Sequence, residues 1–209
     1  MFKLITTASD LPPTQTLVKS LILNGWDYEI LFHQWMGFGD KILKTYDYLK
    51  NNPHIKYFIY CDAYDVITID SMKNTLKRIK NKDSIIVSAE RNCWPDPDRA
   101  VNYPETASPW KFVNSGCYFA NAEMFKKLVE QNPIQQHTDD QRWFTDQFLK
   151  GSVDIDSNCN IFQSIAFGQD SDFELKNDKL INTITKTKPV FIHGNGKTDM
   201  SRWKHLANS

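Results

Sequence analysis

Apolar runs alternate with amphipathic segments along the N-terminal half of the chain. "FKLITTA" (Phe2–Ala8) reads as a buried strand. Thr14–Leu23 sets Leu17, Val18, Leu21 and Ile22 at helical spacing and predicts a helix with those residues on one face. A strand follows over Asp27–Phe32, then a helix over Gly39–Lys50 with Ile42, Leu43, Tyr46 and Leu49 inward. "YFIYCDA" (Tyr57–Ala63) is the next strand. Asp70–Lys80 is a helix capped by Ser71 or Asp70, and Ser84–Glu90 is another strand. This rhythm predicts an α/β fold: a mostly parallel, Rossmann-like central sheet with helices on both faces. Ligands of such sheets collect at the carboxyl ends of the strands, where Asp62, Asp65 and Glu90 lie.

The second half is less regular. The proline-rich stretch from Arg91 to Trp110 reads as a long loop, a length that in compact domains often carries function. "GCYFANA" (Gly116–Ala122) reads as a strand, followed by a helix over Ala122–Gln131. "TDDQRWFTDQFL" (Thr138–Leu149) reads as a helix with Asp139 and Asp140 in its first turn, and "PVFIHGNGKT" (Pro189–Thr198) as a final strand running into a glycine-rich turn. No repeat, low-complexity tract or linker divides the 209 residues, so one domain over 1–209 is expected.

Composition narrows the class. Hydrophobic residues are 41% and charged residues 24%, ordinary for a globular protein with a core. The formal net charge is zero, which argues against a nucleic-acid partner. Cys61, Cys93, Cys117 and Cys159 form no C-x-x-C pair, so a structural zinc site is not expected and the thiols read as reduced. There is no membrane-length apolar run, no signal-peptide pattern at "MFKLITTASD" and no N-x-S/T site, so a cytoplasmic location is expected.

Two places carry chemistry. Asp62 and Asp65 close an apolar strand three residues apart. On a continuing strand they would point to opposite faces, so they converge only if the chain turns after Asp62. Converged carboxylates repel unless a cation joins them, and hard oxygen ligands suit Mg²⁺ or Mn²⁺. The ordinary alternative is that each aspartate caps a turn or the next helix. The second place is "HGNG" (His193–Gly196). Gly194 and Gly196 let backbone N–H groups approach an anion, Lys197 adds a cation, and His193 offers an imidazole nitrogen. Mixed nitrogen and oxygen ligands favour Mn²⁺ over Mg²⁺. Two aspartates cancel a divalent ion, so a nucleotide diphosphate-sugar would need further cations, for which Lys41 and Lys197 are placed.

The order of "GDK", "DAYDV", "SAERNCWPD", "FVNSG", "DDQRWFT", "CNIFQ" and "PVFIHGNGKT" resembles the glycosyltransferase domain of procollagen lysyl hydroxylases and related collagen-type glycosyltransferases. The resemblance covers most of the chain. It implies a GT-A fold, a UDP-sugar donor, UDP-glucose or UDP-galactose, and Mn²⁺ held by Asp62, Asp65 and His193. It also implies nucleotide contacts from Thr7, Trp35, Lys41 and Tyr64, with Gly194, Gly196 and Lys197 at the diphosphate. Trp94, Asn114, Asp139, Asp140 and Gln141 would line the sugar and acceptor side, with Glu90 beside them. The implied reaction is hexosyl transfer with retention to a hydroxyl of a protein or glycan, such as collagen-like hydroxylysine or its galactosylated form. Departures from the family bear on the sugar and acceptor: its acidic run before "DQ" is shortened to Asp139–Asp140, Cys117 stands where it has a second glycine, and Lys197 comes early in the last motif. The rival readings are a catalytically silent UDP-sugar-binding module and a phosphohydrolase, although the latter wants D-x-D rather than D-x-x-D.

Overall fold

A computed structural model of the chain describes residues 1–10 and 12–207. The strands of its main sheet are β1 (Phe2–Ala8), β2 (Tyr28–Phe32) and β3 (Tyr57–Cys61), with a short β4 (Val66–Thr68) following β3 into a second sheet. The main sheet continues with β5 (Ile85–Glu90), β6 (Phe112–Asn121) and β7 (Asp154–Ile155), in the order β2-β1-β3-β6-β5-β7. β1 is parallel to β2 and β3, and β5 is parallel to β7. β6 alone runs the other way, antiparallel to β3 and β5. The sheet is thus mostly parallel, as its strand–helix rhythm implied. The reversal of β6 was not anticipated, because a strand buried on both faces carries no mark of direction. The loop after β5, which folds one 3₁₀ segment over Pro97–Asn102, returns the chain without a crossover helix.

The helices are α1 (Gln15–Leu23), α2 (Gly39–Asn51), α3 (Met72–Arg78), α4 (Ala122–Gln131), α5 (Asp140–Leu149) and α6 (Ser201–Lys204). Alternation along the strands feeds two cores, one on each face of the sheet. Ile5, Phe58, Tyr60, Tyr118 and Ala120 join Ile42 and Leu49 of α2, Phe125 of α4 and Phe144 of α5. Leu4, Ile59, Cys61, Cys117 and Phe119 join Leu17 and Leu21 of α1 on the other face. Ile22 does not share that face: it is exposed, lying about 100° beyond Leu21 around the helix. All four cysteines are free and buried.

Short strands complete the chain: β8 (Phe162–Ser164), the hairpin of β9 (Phe173–Lys176) and β10 (Lys179–Asn182), and β11 (Phe191–His193). β11 lies between β4 and β8, antiparallel to the first and parallel to the second. The run "YFIYCDA" therefore does not stay one strand. It leaves the main sheet at Cys61, turns through Asp62–Asp65 and re-enters the small sheet as β4. That crossing point between two sheets is where the chemistry collects. Ser71 is the N-cap of α3, accepting from the Asn74 N–H, while Asp70 braces the same turn through Ser71, Asn74 and Arg78.

Candidate active site

The turn after β3 brings the two aspartates together, and sheet register supplies the histidine. Asp62 N–H donates to the Gly116 carbonyl (2.8 Å), which extends the β3–β6 ladder by one residue. Across the small sheet His193 faces Val66, and Gly194 N–H donates to the Asp65 carbonyl (2.8 Å). His193 Nε2 consequently lies 3.4 Å from Asp65 Oδ2 and 3.9 Å from Asp62 Oδ2. One ligand atom from each of the three residues falls within 4.8 Å of the others. The expected anion-binding use of the Gly194 N–H is corrected here, since that N–H is engaged in the ladder.

The ring of His193 is oriented from behind. Asn114 Nδ2 donates to Glu90 Oε1 (3.1 Å), which leaves Asn114 Oδ1 to accept from His193 Nδ1 (3.1 Å). With the proton on Nδ1, the Nε2 lone pair of a neutral ring faces the two carboxylates, the arrangement of a metal-ligating histidine and its supporting partner. Burial pushes the imidazole pKa down, but Asp65 and Asp62 outweigh it and the net direction is up. Burial raises the Asp62 carboxyl, against Lys41; for Asp65 burial is outweighed by His193, with Lys41 and a backbone hydrogen bond, and the direction is down. A positive charge is therefore favoured between these carboxylates. Gly116 makes the approach possible. A Cβ there would overlap His193 Cε1 and lie 2.9 Å from both His193 Nδ1 and Asp62 Oδ2.

Lys41 links this group to the first turn of α5. Its Nζ lies 2.7 Å from Asp140 Oδ2 and 2.9 Å from Asp62 Oδ1, with the side chain almost wholly buried. Burial lowers the ammonium pKa, yet Asp140 and Asp62 together hold it above its usual value. The expected role of Lys41 in answering phosphate charge is thus shared with two carboxylates it already pairs. Tyr60, two residues before Asp62 on the same strand face, donates to Asp62 Oδ1 (3.4 Å) and bonds the Thr7 hydroxyl (2.8 Å). Alternation along β3 was the signal that could have marked it.

The "DDQ" residues have three separate surroundings. Asp139 is the N-cap of α5 and accepts from the Arg142 N–H (2.8 Å), the structural role its position suggests. Asp140 points to Lys41. Gln141 donates to Glu90 Oε1 (2.7 Å) and to the Trp94 carbonyl (2.8 Å), and its Oε1 accepts from Ser115 N–H (3.3 Å). Its amide is fully used in holding the site together. Glu90 is the centre of this frame: Asn114 and Gln141 bond one oxygen, and Asn195, inside HGNG, bonds the other at 2.8 Å. Burial pushes its carboxyl upward in spite of these donors. Asn195 was not anticipated; a polar residue framed by two glycines after a buried strand was its only mark. Trp94 is 60% exposed.

In front of the cluster is a cleft of about 500 Å³, a size suited to a nucleotide. Thr7, Trp35, Lys41, Tyr64 and Lys197 all line it with Asp62 and Asp65, as do Ser9, Phe38 and Ala63. Trp35 and Phe38 meet edge to face at 5.3 Å. The Tyr64 hydroxyl accepts from Ser9 N–H (2.8 Å) and Asp10 N–H (3.1 Å), which docks the D-x-x-D turn onto the end of β1. Gly196 adopts φ +64°, which turns the chain back so that Lys197 reaches this cleft. A larger cleft of about 680 Å³ lies along α3 and β7, but its cations Lys77, Arg78, Lys80 and Lys188 face no candidate metal-ligand cluster among the described residues.

A family model for the PLOD GT domain matches residues 31–208. The chain belongs to this family, and so to the glycosyltransferases. A procollagen-lysine,2-oxoglutarate 5-dioxygenase of Drosophila melanogaster is 34% identical over 171 residues, covering 74% of this chain and 23% of the relative. The human multifunctional procollagen lysine hydroxylase and glycosyltransferase LH3 is 30% identical, covering 68% and 21%. An uncharacterized protein of Acanthamoeba polyphaga mimivirus is 27% identical, covering 77% and 36%. The chain therefore spans about a fifth to about a third of the length of these relatives. Among solved structures, a glycosyltransferase involved in glycosylation of the major capsid of PBCV-1 aligns with a TM-score of 0.55 at 10% identity, covering 99% of this chain and 98% of that one. The bifunctional glycosyltransferase WbbM aligns with 0.54 at 14% identity, covering 100% and 50%. These two likenesses establish the fold, that of GT-A glycosyltransferases, a class that typically uses a nucleotide sugar and a divalent metal. For this PLOD GT domain the Asp62–Asp65–His193 group is the arrangement among the described residues that fits a metal. No described helix is long and apolar enough to cross a membrane.

Proposed function

We propose that residues 1–209 form one metal-dependent hexosyltransferase domain that takes glucose or galactose from its UDP-sugar and delivers it, with retention, to a hydroxyl acceptor. The observation that carries this reading is the Asp62–Asp65–His193 cluster at the mouth of the nucleotide-sized cleft, with the histidine held from behind by Asn114. Two hard oxygens and one imidazole nitrogen suit Mn²⁺ better than Mg²⁺. A divalent ion held there supplies electrostatic stabilisation of the departing diphosphate. The chain's own residues do the rest. Trp35 and Tyr64 bound the base and ribose end of the cleft, and Thr7 closes its floor. Lys197 is the cation lining the cleft that forms no ion pair among the described residues, so it is free to meet phosphate. Lys41 keeps Asp62 and Asp140 in fixed relation, and Asp140, buried at the first residue of α5, faces the sugar. Trp94 covers that side. As acceptor we propose the hydroxylysine of collagen-like chains or its galactosylated form, a reading supported by a relative whose name joins procollagen lysine hydroxylase to glycosyltransferase.

The test is a UDP-sugar panel with Mn²⁺, reading donor hydrolysis and transfer. Asp65→Ala and His193→Ala should each abolish Mn²⁺-dependent UDP binding by calorimetry while the fold persists. A protein that binds UDP and Mn²⁺ but turns over no UDP-sugar is a silent binding module instead. Unchanged binding in both variants removes the metal assignment.

A further inference from the structure

Phe167 is out of place by every local rule. It occupies the third position of a β-turn, Ile165–Gly168, closed by Gly168 N–H to the Ile165 carbonyl (3.1 Å). Its φ is +59°, the left-handed region that favours glycine and disfavours bulky side chains. The glycine of "AFG" falls one residue late, because Gly168 is where the ring of Phe173 packs against the backbone. In return for this conformation the ring buries little, being 70% exposed. An exposed aromatic held in a strained turn points to function rather than packing.

The turn is firmly held and borders the site. Its Phe167 carbonyl accepts from Arg91 Nη1 (3.2 Å); Arg91 in turn pairs with Asp172 (2.7 Å) and lies 4.3 Å from the centre of the buried Trp110 ring. Ile165 N–H donates to the His193 carbonyl, and Ala166 N–H donates to Asn195 Oδ1 (3.1 Å). Asn195 is bonded to one oxygen of Glu90, whereas Gln141, bonded to the other, holds the Trp94 carbonyl. Two exposed aromatics, Trp94 and Phe167, are thus tethered to opposite oxygens of one buried carboxylate. The nucleotide cleft uses neither of them.

We infer that Phe167 is an acceptor-binding and specificity-determining residue whose ring receives the apolar face of a pyranose, opposite Trp94 across the Glu90 frame. The inference rests on the glycosyltransferase reading of the same site. An exposed ring whose own carbonyl is held by Arg91, and which is followed in sequence by Gln169 and Asp170, suits a sugar, which has one apolar face and a polar edge.

The experiment uses methyl β-galactopyranoside and methyl β-glucopyranoside as probes, with the full chain, UDP and Mn²⁺. Saturation transfer from protein to sugar is compared for wild type, Phe167→Gly and Phe167→Trp. Phe167→Gly relieves the turn, so its melting temperature should equal or exceed that of wild type, which separates lost binding from lost folding. Its sugar affinity should fall about tenfold, roughly the effect of one aromatic contact, and Phe167→Trp should retain it. In transfer assays the loss should fall on acceptor KM rather than donor KM. Wild type that binds neither pyranoside, or Phe167→Gly that binds as well as wild type, overturns the inference even if UDP-sugar is hydrolysed. Transfer to an unglycosylated hydroxylysine peptide that alone depends on Phe167 overturns the pyranose in favour of a polypeptide acceptor. Absence of any UDP-sugar turnover, with pyranoside binding intact and Phe167-dependent, sinks the enzyme reading and leaves the sugar site standing.

Discussion

Replacing Lys41 with methionine keeps side-chain length and removes one charge from the middle of the site. The ammonium lies 2.7 Å from Asp140 and 2.9 Å from Asp62, with side-chain exposures of 9%, 5% and 26%. At an effective dielectric constant of about 20, each contact has a gross Coulomb energy of about 6 kcal/mol. Most of that is offset by the cost of taking three charges out of water. Removing one member of a buried pair is nonetheless costly, about 3–5 kcal/mol, because the partner charges stay behind uncompensated. Asp140 has little access to water and cannot rehydrate easily. For a chain of this size the loss corresponds to a melting temperature about 6–20 °C lower. Adding Asp140→Asn to Lys41→Met removes the stranded charge and should restore about half of the loss, so the two changes are strongly non-additive. The assay is a thermal melt of wild type, both single variants and the double variant, with and without MnCl₂. Since Lys41 competes with any metal for Asp62, MnCl₂ should raise the melting temperature of Lys41→Met by more than that of wild type. A Lys41→Met protein within about 1 kcal/mol of wild type, or a double variant that is simply additive, refutes this electrostatic account.

Four further outcomes are expected. Gly116→Ala forces His193 or Asp62 out of position, so Mn²⁺ binding by calorimetry should be lost and stability should fall by about 1–3 kcal/mol. Asn114→Ala frees the His193 ring and should weaken Mn²⁺ binding about 10–100-fold with the three ligands intact. Glu90→Gln turns one acceptor oxygen into a donor facing other amide donors; denaturant unfolding should report a loss of about 1–3 kcal/mol. Asp70 has its carboxyl pKa lowered: burial opposes, but Asn74, Ser71, Lys179 and Arg78 outweigh it. Its contribution is therefore present above the unfolded value of about 3.9 and lost as pH falls through the folded one. The wild-type advantage over Asp70→Asn in urea should shrink between pH 6 and pH 3, and an advantage that stays constant over that range contradicts the assignment.

What could be read in the chain was periodic or local. Strands with buried faces and helices with one apolar stripe follow from spacing, so β1, β3, α2 and α4 appear where alternation and the 3.6-residue repeat put them. The convergence of Asp62 and Asp65 was legible as a requirement for a turn, and the turn is there. The direction of β6 was not legible, because direction is set by a loop path rather than by any property of the strand. Nor were β4 and β8, whose three residues are too short to establish a period and which exist because β11 pairs with both. Tyr60 and Asn195 were missed, and so was the bonding that joins the residues already named, because it arises between partners far along the chain. Glu90 is bonded by Asn114, Gln141 and Asn195, none closer than 24 residues in sequence.

That distinction explains how the site is assembled. The candidate metal ligands lie at the ends of β3 and β11 and at the start of β4, positions set by sheet register alone. The groups that orient them are amides, and amides are chosen where an acceptor must face one neighbour and a donor another. Asn114 does this between His193 and Glu90; Asn195 does it between Ala166 and Glu90; Gln141 does it between Ser115 and Glu90. A carboxylate at any of these positions would face Glu90 with a like charge, and an apolar side chain would leave Glu90 buried and short of donors. Glu90 must stay an acceptor-only carboxylate for the same reason. The buried polar frame therefore works as a unit: its members specify one another, and together they set where His193, Trp94 and the turn of Phe167 stand around the cleft.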